Sequence, residues 1–174
     1  SKDGKTNISI QNIGLLTDNS STLVTEGGWV GQILFGKGIS SGTISFNKCY
    51  STGTISSEGG GIVGYESFQN ITNGTVNISE CYSTGSIGSN SGGICGSLTG
   101  QNMSNGQISI SNSYSIGSIG SNGGGICGKE TGNNITNGTI EVLNSYSTGQ
   151  INSNGGGIYG SDINTTGGGI INAK

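Results

Sequence analysis

A five-residue motif containing Tyr-Ser recurs four times in this chain, and each copy begins 32 residues after the one before it. A second motif, Gly-Gly-Ile followed by one variable residue and Gly, recurs in the same frame. Two motifs held in one frame indicate a structural repeat, as in solenoids, propellers and other arrays. The first motif begins at Cys49, Cys81, Ser113 and Ser145, and the second at Gly60, Gly92, Gly124 and Gly156.

The composition by itself is typical of a flexible linker. The 174 residues include 37 Gly and no Pro, and only 29% are hydrophobic. Such chains usually bury too little apolar surface to offset a backbone entropy of about 1–2 kcal/mol per residue. Low-complexity sequence does not keep a fixed repeat frame, however. The repeat therefore favours one folded domain over residues 1–174, built as a continuous stack.

Charge and hydropathy argue against two classes of partner. The formal net charge is −3, and the six basic residues are all lysines, so no basic patch is available to neutralise phosphates. The longest apolar stretches span only a few residues, whereas a membrane-spanning helix needs about 20. We predict neither nucleic-acid binding nor membrane insertion. No signal sequence begins at Ser1, so a mature or excised fragment is expected.

Each repeat contains three short strand patterns. In the unit 74–105, Val76 and Ile78 alternate with polar residues, which predicts a strand with one buried face. Two further strands are predicted around Ile87 and Ile94, and Asn-Gly or Gly-rich corners separate the three. Propeller blades usually need about 40 residues and four strands. The sequence therefore predicts an all-β fold, a triangular parallel β-solenoid of about five coils.

The repeat frame divides the chain into units. We expect a degenerate N-terminal coil at 1–41 and a C-terminal end strand at 170–174. The polar stretch between Tyr65 and Asn73 varies most between units, which predicts a loop projecting from one corner. The four regular repeats are 42–73, 74–105, 106–137 and 138–169.

The repeat resembles the GLUG motif family of bacterial and protist surface proteins, whose pattern is close to G-T-I-x-N-S-Y-A-T-G-x-V followed by G-G-L-V-G. The nearest unit runs from Gly138 to Gly160, and the resemblance covers about residues 27–160. It departs from the pattern by two extra residues after Ile140 and by Ser147 in place of Ala. The resemblance implies an extracellular, adhesin-like or surface-layer architecture, and it brings no catalytic residue.

Paired carboxylates are the strongest sign of chemistry in the sequence. Glu130 and Asp162 share a column, with Glu66 two coils away and Leu98 interrupting. Such a pair could hydrolyse a glycosidic bond or bind a cation, but a solvated edge is the favoured interpretation. We therefore predict that the protein is not an enzyme, with no catalytic residue, no metal site and no cofactor.

Two polar or aromatic columns suggest binding surfaces. A tyrosine ladder could stack on sugars, although self-stacking that stabilises the solenoid is favoured. A threonine column could order ice-like water, but Ile116 interrupts it and each Thr-Gly lies at a corner. The ladder comprises Tyr50, Tyr82, Tyr114 and Tyr146, and the threonines are Thr52, Thr84 and Thr148.

The four cysteines fall into two columns. Stacked Cα atoms about 4.8 Å apart lie within the range of about 4.4–6.8 Å that a disulfide tolerates. This predicts the disulfides Cys49–Cys81 and Cys95–Cys127, each stabilising by about 3–4 kcal/mol. The alternative is two ladders of reduced thiols.

Sequons and chain ends complete the predictions. The sequons best placed for a glycan are those near the variable corner, at Asn70, Asn102 and Asn134. Strand-like sequence at each end predicts self-association, the last coil of one copy pairing with the first coil of the next. The residues expected at the assembly ends are Ile8, Ile10, Ile170 and Ile171.

The function that these observations favour is structural. We expect an extracellular or cell-surface β-solenoid subunit that stacks head to tail into a filament, sheath or adhesin stalk. The first alternative is an adhesin segment that binds surface glycans or a host surface through its corners. The second is an ice-binding protein.

Overall fold

The computed structural model describes residues 6–17, 21–165 and 167–174, so residues 1–5, 18–20 and 166 of the predicted units lie outside the described residues. The described chain forms strands without helices, and their parallel stacking confirms the predicted β-solenoid of about five coils. A coil here means one circuit of the chain around the solenoid axis. The strands are β1 (Thr6–Gln11), β2 (Gly14–Leu15), β3 (Gly42–Asn47), β4 (Tyr50–Ser51), β5 (Thr75–Ser79), β6 (Tyr82–Ser83), β7 (Gln107–Ser111), β8 (Tyr114–Ser115), β9 (Thr139–Leu143), β10 (Tyr146–Ser147) and β11 (Ile170–Ala173).

Two parallel sheets run along the solenoid. The larger has six strands in the order β1-β3-β5-β7-β9-β11, and the smaller has five in the order β10-β8-β6-β4-β2. Val76 of β5 pairs with Ile108 of β7, so one sequence repeat corresponds to one coil. The first coil is longer, because Ile8 pairs with Ile44. Side chains that share a column in the sequence are thus neighbours along the axis.

The predicted second and third strands are only partly right. Ile87 makes single parallel bridges to Ile55 and Ile119, and Gly92 and Cys95 flank Ile94 with similar bridges. The ordered two-residue strand lies earlier, at Tyr82–Ser83, where the sequence analysis placed none. The chain bends at Gly85, two residues before Ile87, and this bend separates the strand from the Ile87 bridge.

Inward-pointing aliphatic columns form the core. Ile44, Val76, Ile108 and Ile140 stack along the large sheet, and each is completely buried. Burying one such side chain contributes about 1.5–3 kcal/mol. Ile55, Ile87 and Ile119 form a second, smaller buried cluster, against which Trp29 packs. Three phenylalanines, Phe35, Phe46 and Phe68, pack edge to face near the first coils, with ring centroids 5.4 to 6.4 Å apart.

The stretch 65–73 is not the projecting loop that its polarity predicts. Ser67, Phe68 and Ile71 are completely buried, and Phe68 N–H donates to the carbonyl of Phe35 in the preceding coil at 2.8 Å. The Ser67 hydroxyl donates to the carbonyl of Gly64 at 2.8 Å, which satisfies a buried polar group locally. The stretch therefore stacks like the rest of the coil, because its few apolar residues point inward.

Corners of the coil use left-handed backbone, and the same positions repeat. Asn105 and Asn137 precede glycine with φ of 54° and 53°, as the corner prediction requires. Asparagine adopts this region more readily than most residues because its short polar side chain bonds locally. Charged residues occupy it as well, among them Glu26 at 67° and Glu58 at 64°.

At other positions glycine is required because a side chain would not fit, and not because the backbone adopts a positive φ. A Cβ on Gly85 would lie 1.9 Å from the carbonyl oxygen of Gly53, one coil away. A Cβ on Gly125 would lie 2.1 Å from the carbonyl oxygen of Gly157. Backbone atoms of adjacent coils thus occupy the space that a side chain would need, which explains why glycine fills these columns.

The Gly125 column supplies a matched pair of substitutions. We expect Gly125→Ala to destabilise the protein by about 1–3 kcal/mol, because the new methyl group meets backbone that is fixed by the next coil. Gly157→Ala should change stability by less than about 0.5 kcal/mol, since the nearest atom to its Cβ is 3.9 Å away. Urea unfolding of both variants checks this, and equal effects would contradict the packing explanation.

Candidate functional site

The four predicted tyrosines stack face to face on the outside of the small sheet. Their ring centroids are 4.9, 5.0 and 5.3 Å apart, and successive planes differ by only 2°, 2° and 7°. Gly14 leaves room for the first ring, since a Cβ there would lie 2.1 Å from Tyr50 Cζ. Each inner ring is therefore covered on both faces and has none to offer a sugar. Only Tyr146, which is 53% exposed, keeps an open face.

The threonine column does not widen into a flat hydroxyl array. Thr52 and Thr84 are half-buried, and the neighbouring Ser51 and Ser83 point inward and are completely buried. The alternation of side chains along a strand causes this separation. Ile116, which is 48% exposed, interrupts the column. Ice binding would need a broad, flat array of hydroxyl groups, whereas the threonine array at this corner is only one residue wide.

The predicted disulfides are absent, since all four cysteines are free buried thiols. Cys81 Sγ donates to the carbonyl of Ser79 at 3.3 Å, just as the Ser113 hydroxyl donates to that of Ser111 at 2.9 Å. The thiol thus takes the place of a hydroxyl in a local hydrogen bond. The backbones of Cys95 and Cys127 form a parallel bridge between adjacent coils, and both side chains lie in the core. The alternative prediction of stacked reduced thiols describes this arrangement.

Burial also makes two of these thiols poor nucleophiles. It raises the pKa of the Cys81 thiol to about 12 and that of Cys95 well above its ordinary value. The thiolate is the reactive form, so Cys81 and Cys95 present little nucleophile near neutral pH in the folded protein.

Thiol counting distinguishes the two arrangements of cysteine. At pH 8, an aromatic disulfide reagent should react slowly with the folded protein and with four thiols once the protein is unfolded without reductant. Cys127→Ser should lower the final number to three. A final number of zero or two in the unmodified protein would instead support disulfides.

The Glu130 and Asp162 carboxylates are held by one lysine. Lys129 Nζ lies 2.9 Å from Glu130 Oε1 and 3.4 Å from Asp162 Oδ2. The hydrogen bond to Glu130, and more weakly that to Asp162, raises the pKa of the Lys129 ammonium. Two carboxylates bridged by one lysine do not resemble two independent carboxylates flanking a glycosidic bond. Among the described residues, no cluster of three or more His, Cys, Asp or Glu side chains is arranged to hold a metal ion.

The Lys48–Glu80 pair behaves as a surface contact. Its charged atoms are 3.8 Å apart, and more than half of each side chain is exposed. Such a pair contributes about 0–1 kcal/mol.

Beside the Lys129 trio lies a cavity of about 230 Å³. The cavity opens at Ser97, because this small residue lies in one column between two long ones, Tyr65 and Lys129. The Ser97 hydroxyl donates to the carbonyl of Asn90 at 3.0 Å, so this floor residue already has a partner. The residues that line the cavity with charged or aromatic groups are Glu26, Glu58, Tyr65, Lys129 and Glu130.

Backbone hydrogen bonds connect the acidic wall of this cavity, formed by Glu26 and Glu58, to the wall that contains Tyr65 and Ser97. Tyr65 N–H donates to the Glu26 carbonyl at 2.8 Å, and Ser97 N–H donates to the Glu58 carbonyl at 2.9 Å. Asn90 Nδ2 donates to Glu58 Oε1 at 2.6 Å and so orients that carboxylate. Burial, then the neighbouring Glu66, and more weakly Glu58 and Glu26, raise the pKa of the Tyr65 phenol to about 12. The phenol is therefore protonated at neutral pH.

Sequence reasoning did not find this cavity. Glu26 and Glu58 share one column, and Tyr65 and Ser97 share another. Each backbone bond between the columns joins a glutamate to the following coil, more than 30 residues along the chain. The two columns form one cavity only when successive coils stack on each other.

The predicted glycan sites lie on the surface in one column. Asn70, Asn102 and Asn134 are exposed, and Asn134 Nδ2 donates to Asn102 Oδ1 at 3.2 Å. Glycosylation of these residues stays a prediction.

The predicted assembly ends lie on the outermost strands of the large sheet. Ile8 is 37% exposed and Ile170 is 50% exposed, whereas Ile10 and Ile171 pack partly against the core.

Comparison of the chain with family models, with curated proteins and with solved structures gives no match. The resemblance to GLUG repeats therefore stays a prediction. Nowhere in residues 6–17, 21–165 and 167–174 does the chain form a helix of the length and apolarity that a membrane span needs.

Proposed function

We propose that the protein is a structural subunit, an extracellular β-solenoid that stacks end to end into a surface filament, sheath or adhesin stalk. The observation that carries this proposal is the distribution of exposed apolar side chains. Of the nine large ones among the described residues, Ile116 alone lies in a middle coil. Five lie on the first coil, Ile8, Ile13, Leu16, Val24 and Ile33, and three on the last, Tyr146, Ile151 and Ile170. Apolar patches concentrated at two ends favour contacts there.

Open backbone groups at the same ends support the contact. Along parallel strands, the N–H and C=O groups of alternate residues point to opposite neighbours. Ile170 N–H is bonded inward to the Gly138 carbonyl at 2.9 Å, so those of Ile171 and Ala173 point away from β9. Thr6 N–H is likewise bonded to the Ser41 carbonyl, so those of Asn7 and Ser9 point away from β3.

Pairing β11 of one copy with β1 of the next would continue the large sheet across the junction. This is a heterologous contact, which propagates into a fibre unless rotation closes it into a ring. The small sheet ends one strand earlier, at β10, and would leave the outer face of Tyr146 open at the junction. The extracellular location rests on the resemblance to surface repeats.

Electron microscopy of the purified 174-residue chain tests the proposal. We expect filaments with an axial repeat of about 24–29 Å, which is five to six strand spacings. Ala173→Pro should abolish them without lowering the unfolding midpoint, because it removes an N–H that faces the open edge. Ala173→Ser keeps that N–H and is the matched control.

The second end provides an independent variant. Ser9→Pro should also abolish filaments, and Ser9→Ala should leave them intact. A chain that sediments as a folded monomer at high concentration would contradict the proposal, as would filaments that survive both proline variants.

A further inference from the structure

The cavity beside Tyr65 is a feature that end-to-end stacking does not use. It lies on the side of the solenoid and includes Glu26 of the first coil, but none of its lining residues belongs to the junction strands β1 and β11. A water molecule occupies about 30 Å³ in the liquid, so a cavity of about 230 Å³ accommodates about seven waters, or one sugar ring.

Hydrogen bonds position the backbone of the cavity walls before any ligand arrives. Glu26 and Glu58 belong to the corner column in which Asn90, Asn122 and Asn154 also adopt left-handed backbone. Their carbonyls are bonded to Tyr65 and Ser97 in the adjoining column. Preformed walls reduce the entropy that binding must overcome.

Hydrogen-bonding capacity remains in the acidic wall. Lys129 is already paired with Glu130 and Asp162, and neither Glu26 nor Glu58 forms an ion pair with another residue that the structure describes. Asn90 donates to one oxygen of Glu58 and so holds the carboxylate in place. A ligand that brings N–H or O–H donors would therefore find oriented acceptors.

The charges around the cavity select among sugars. Glu26, Glu58 and Glu130 line it, and Lys129 supplies the only positive charge among its lining residues. Uronic acids and phosphorylated sugars would meet like charge here, whereas an ammonium group would meet opposite charge. The Tyr65 ring adds the apolar surface on which the C–H face of a pyranose packs.

We propose that this cavity binds one pyranose ring of an amino sugar. Glu26 and Glu58 accept hydrogen bonds from its ammonium and hydroxyl groups, and Tyr65 packs against its C–H face. The chemistry is that of deacetylated, glucosamine-type polysaccharides. None of these three residues belongs to β1 or β11, so binding does not require the pairing of those strands.

Titration calorimetry of the 174-residue chain with a glucosamine tetrasaccharide tests the proposal. Three oligosaccharides of equal length serve as comparisons, the N-acetylated form, a neutral glucose form and a uronic acid form. We expect the glucosamine form to bind at least about tenfold more tightly than the neutral forms, with no binding of the uronic acid form. Added salt should weaken the binding, because part of it is electrostatic.

Variants assign the binding to this cavity. Glu58→Gln keeps the shape and the acceptor for Asn90 but removes the charge, so affinity should fall about tenfold. Tyr65→Ala should weaken binding of every sugar that binds, and circular dichroism verifies that both variants fold. Glu80→Gln removes an exposed carboxylate at another corner and should leave affinity unchanged.

Three results would overturn the proposal. They are no binding of the glucosamine form at millimolar concentration, equal binding of the glucosamine and neutral forms, and an unchanged affinity of folded Glu58→Gln. Each is independent of whether the chain forms filaments.

Discussion

Backbone hydrogen bonds between successive coils fix the distance between those coils, and the side chains must pack at that distance. They are not confined to the sheets, since Glu58, Asn90 and Asn122 at one corner each donate to a carbonyl of the following coil at 2.9 or 3.0 Å. Continuous bonding of this kind holds adjacent coils at about one strand spacing along their whole path. A residue type is acceptable in a column only if it can pack against the residues one coil away at that distance.

The columns show four solutions to this constraint. Aliphatic residues interdigitate inside, tyrosines stack face to face outside, and amide side chains bond to one another, as Asn122 Nδ2 does with Asn90 Oδ1 at 3.1 Å. Where backbones approach most closely, glycine is the residue that fits. Glycine content that is typical of disorder thus becomes compatible with a folded core, because the coil-to-coil ladder makes up for the small apolar volume.

Periodicity predicted most of the fold, because equal spacing in sequence becomes adjacency in a solenoid. It placed Val76 and Ile78 in the core and the tyrosines in a ladder. It missed the strand Tyr82–Ser83, whose polar and aromatic residues lack a clear alternation, and the burial of 65–73, which depends on a few inward residues. Periodicity did not predict the cavity, because Glu26 and Tyr65 lie in different coils and in different columns and are joined by a backbone hydrogen bond. For the cysteines, proximity alone did not decide between a disulfide and two thiols.

Thermal unfolding of two deletion variants tests the coil-to-coil register most directly. Deleting residues 76–107 joins Thr75 to Ile108 and removes one whole coil, so the account predicts a shorter solenoid that still unfolds cooperatively. Deleting residues 76–108 removes one residue more and places Ser109 and Ser111 where isoleucines point inward. The account predicts loss of the cooperative transition in that variant. Similar unfolding curves for the two deletions would contradict it.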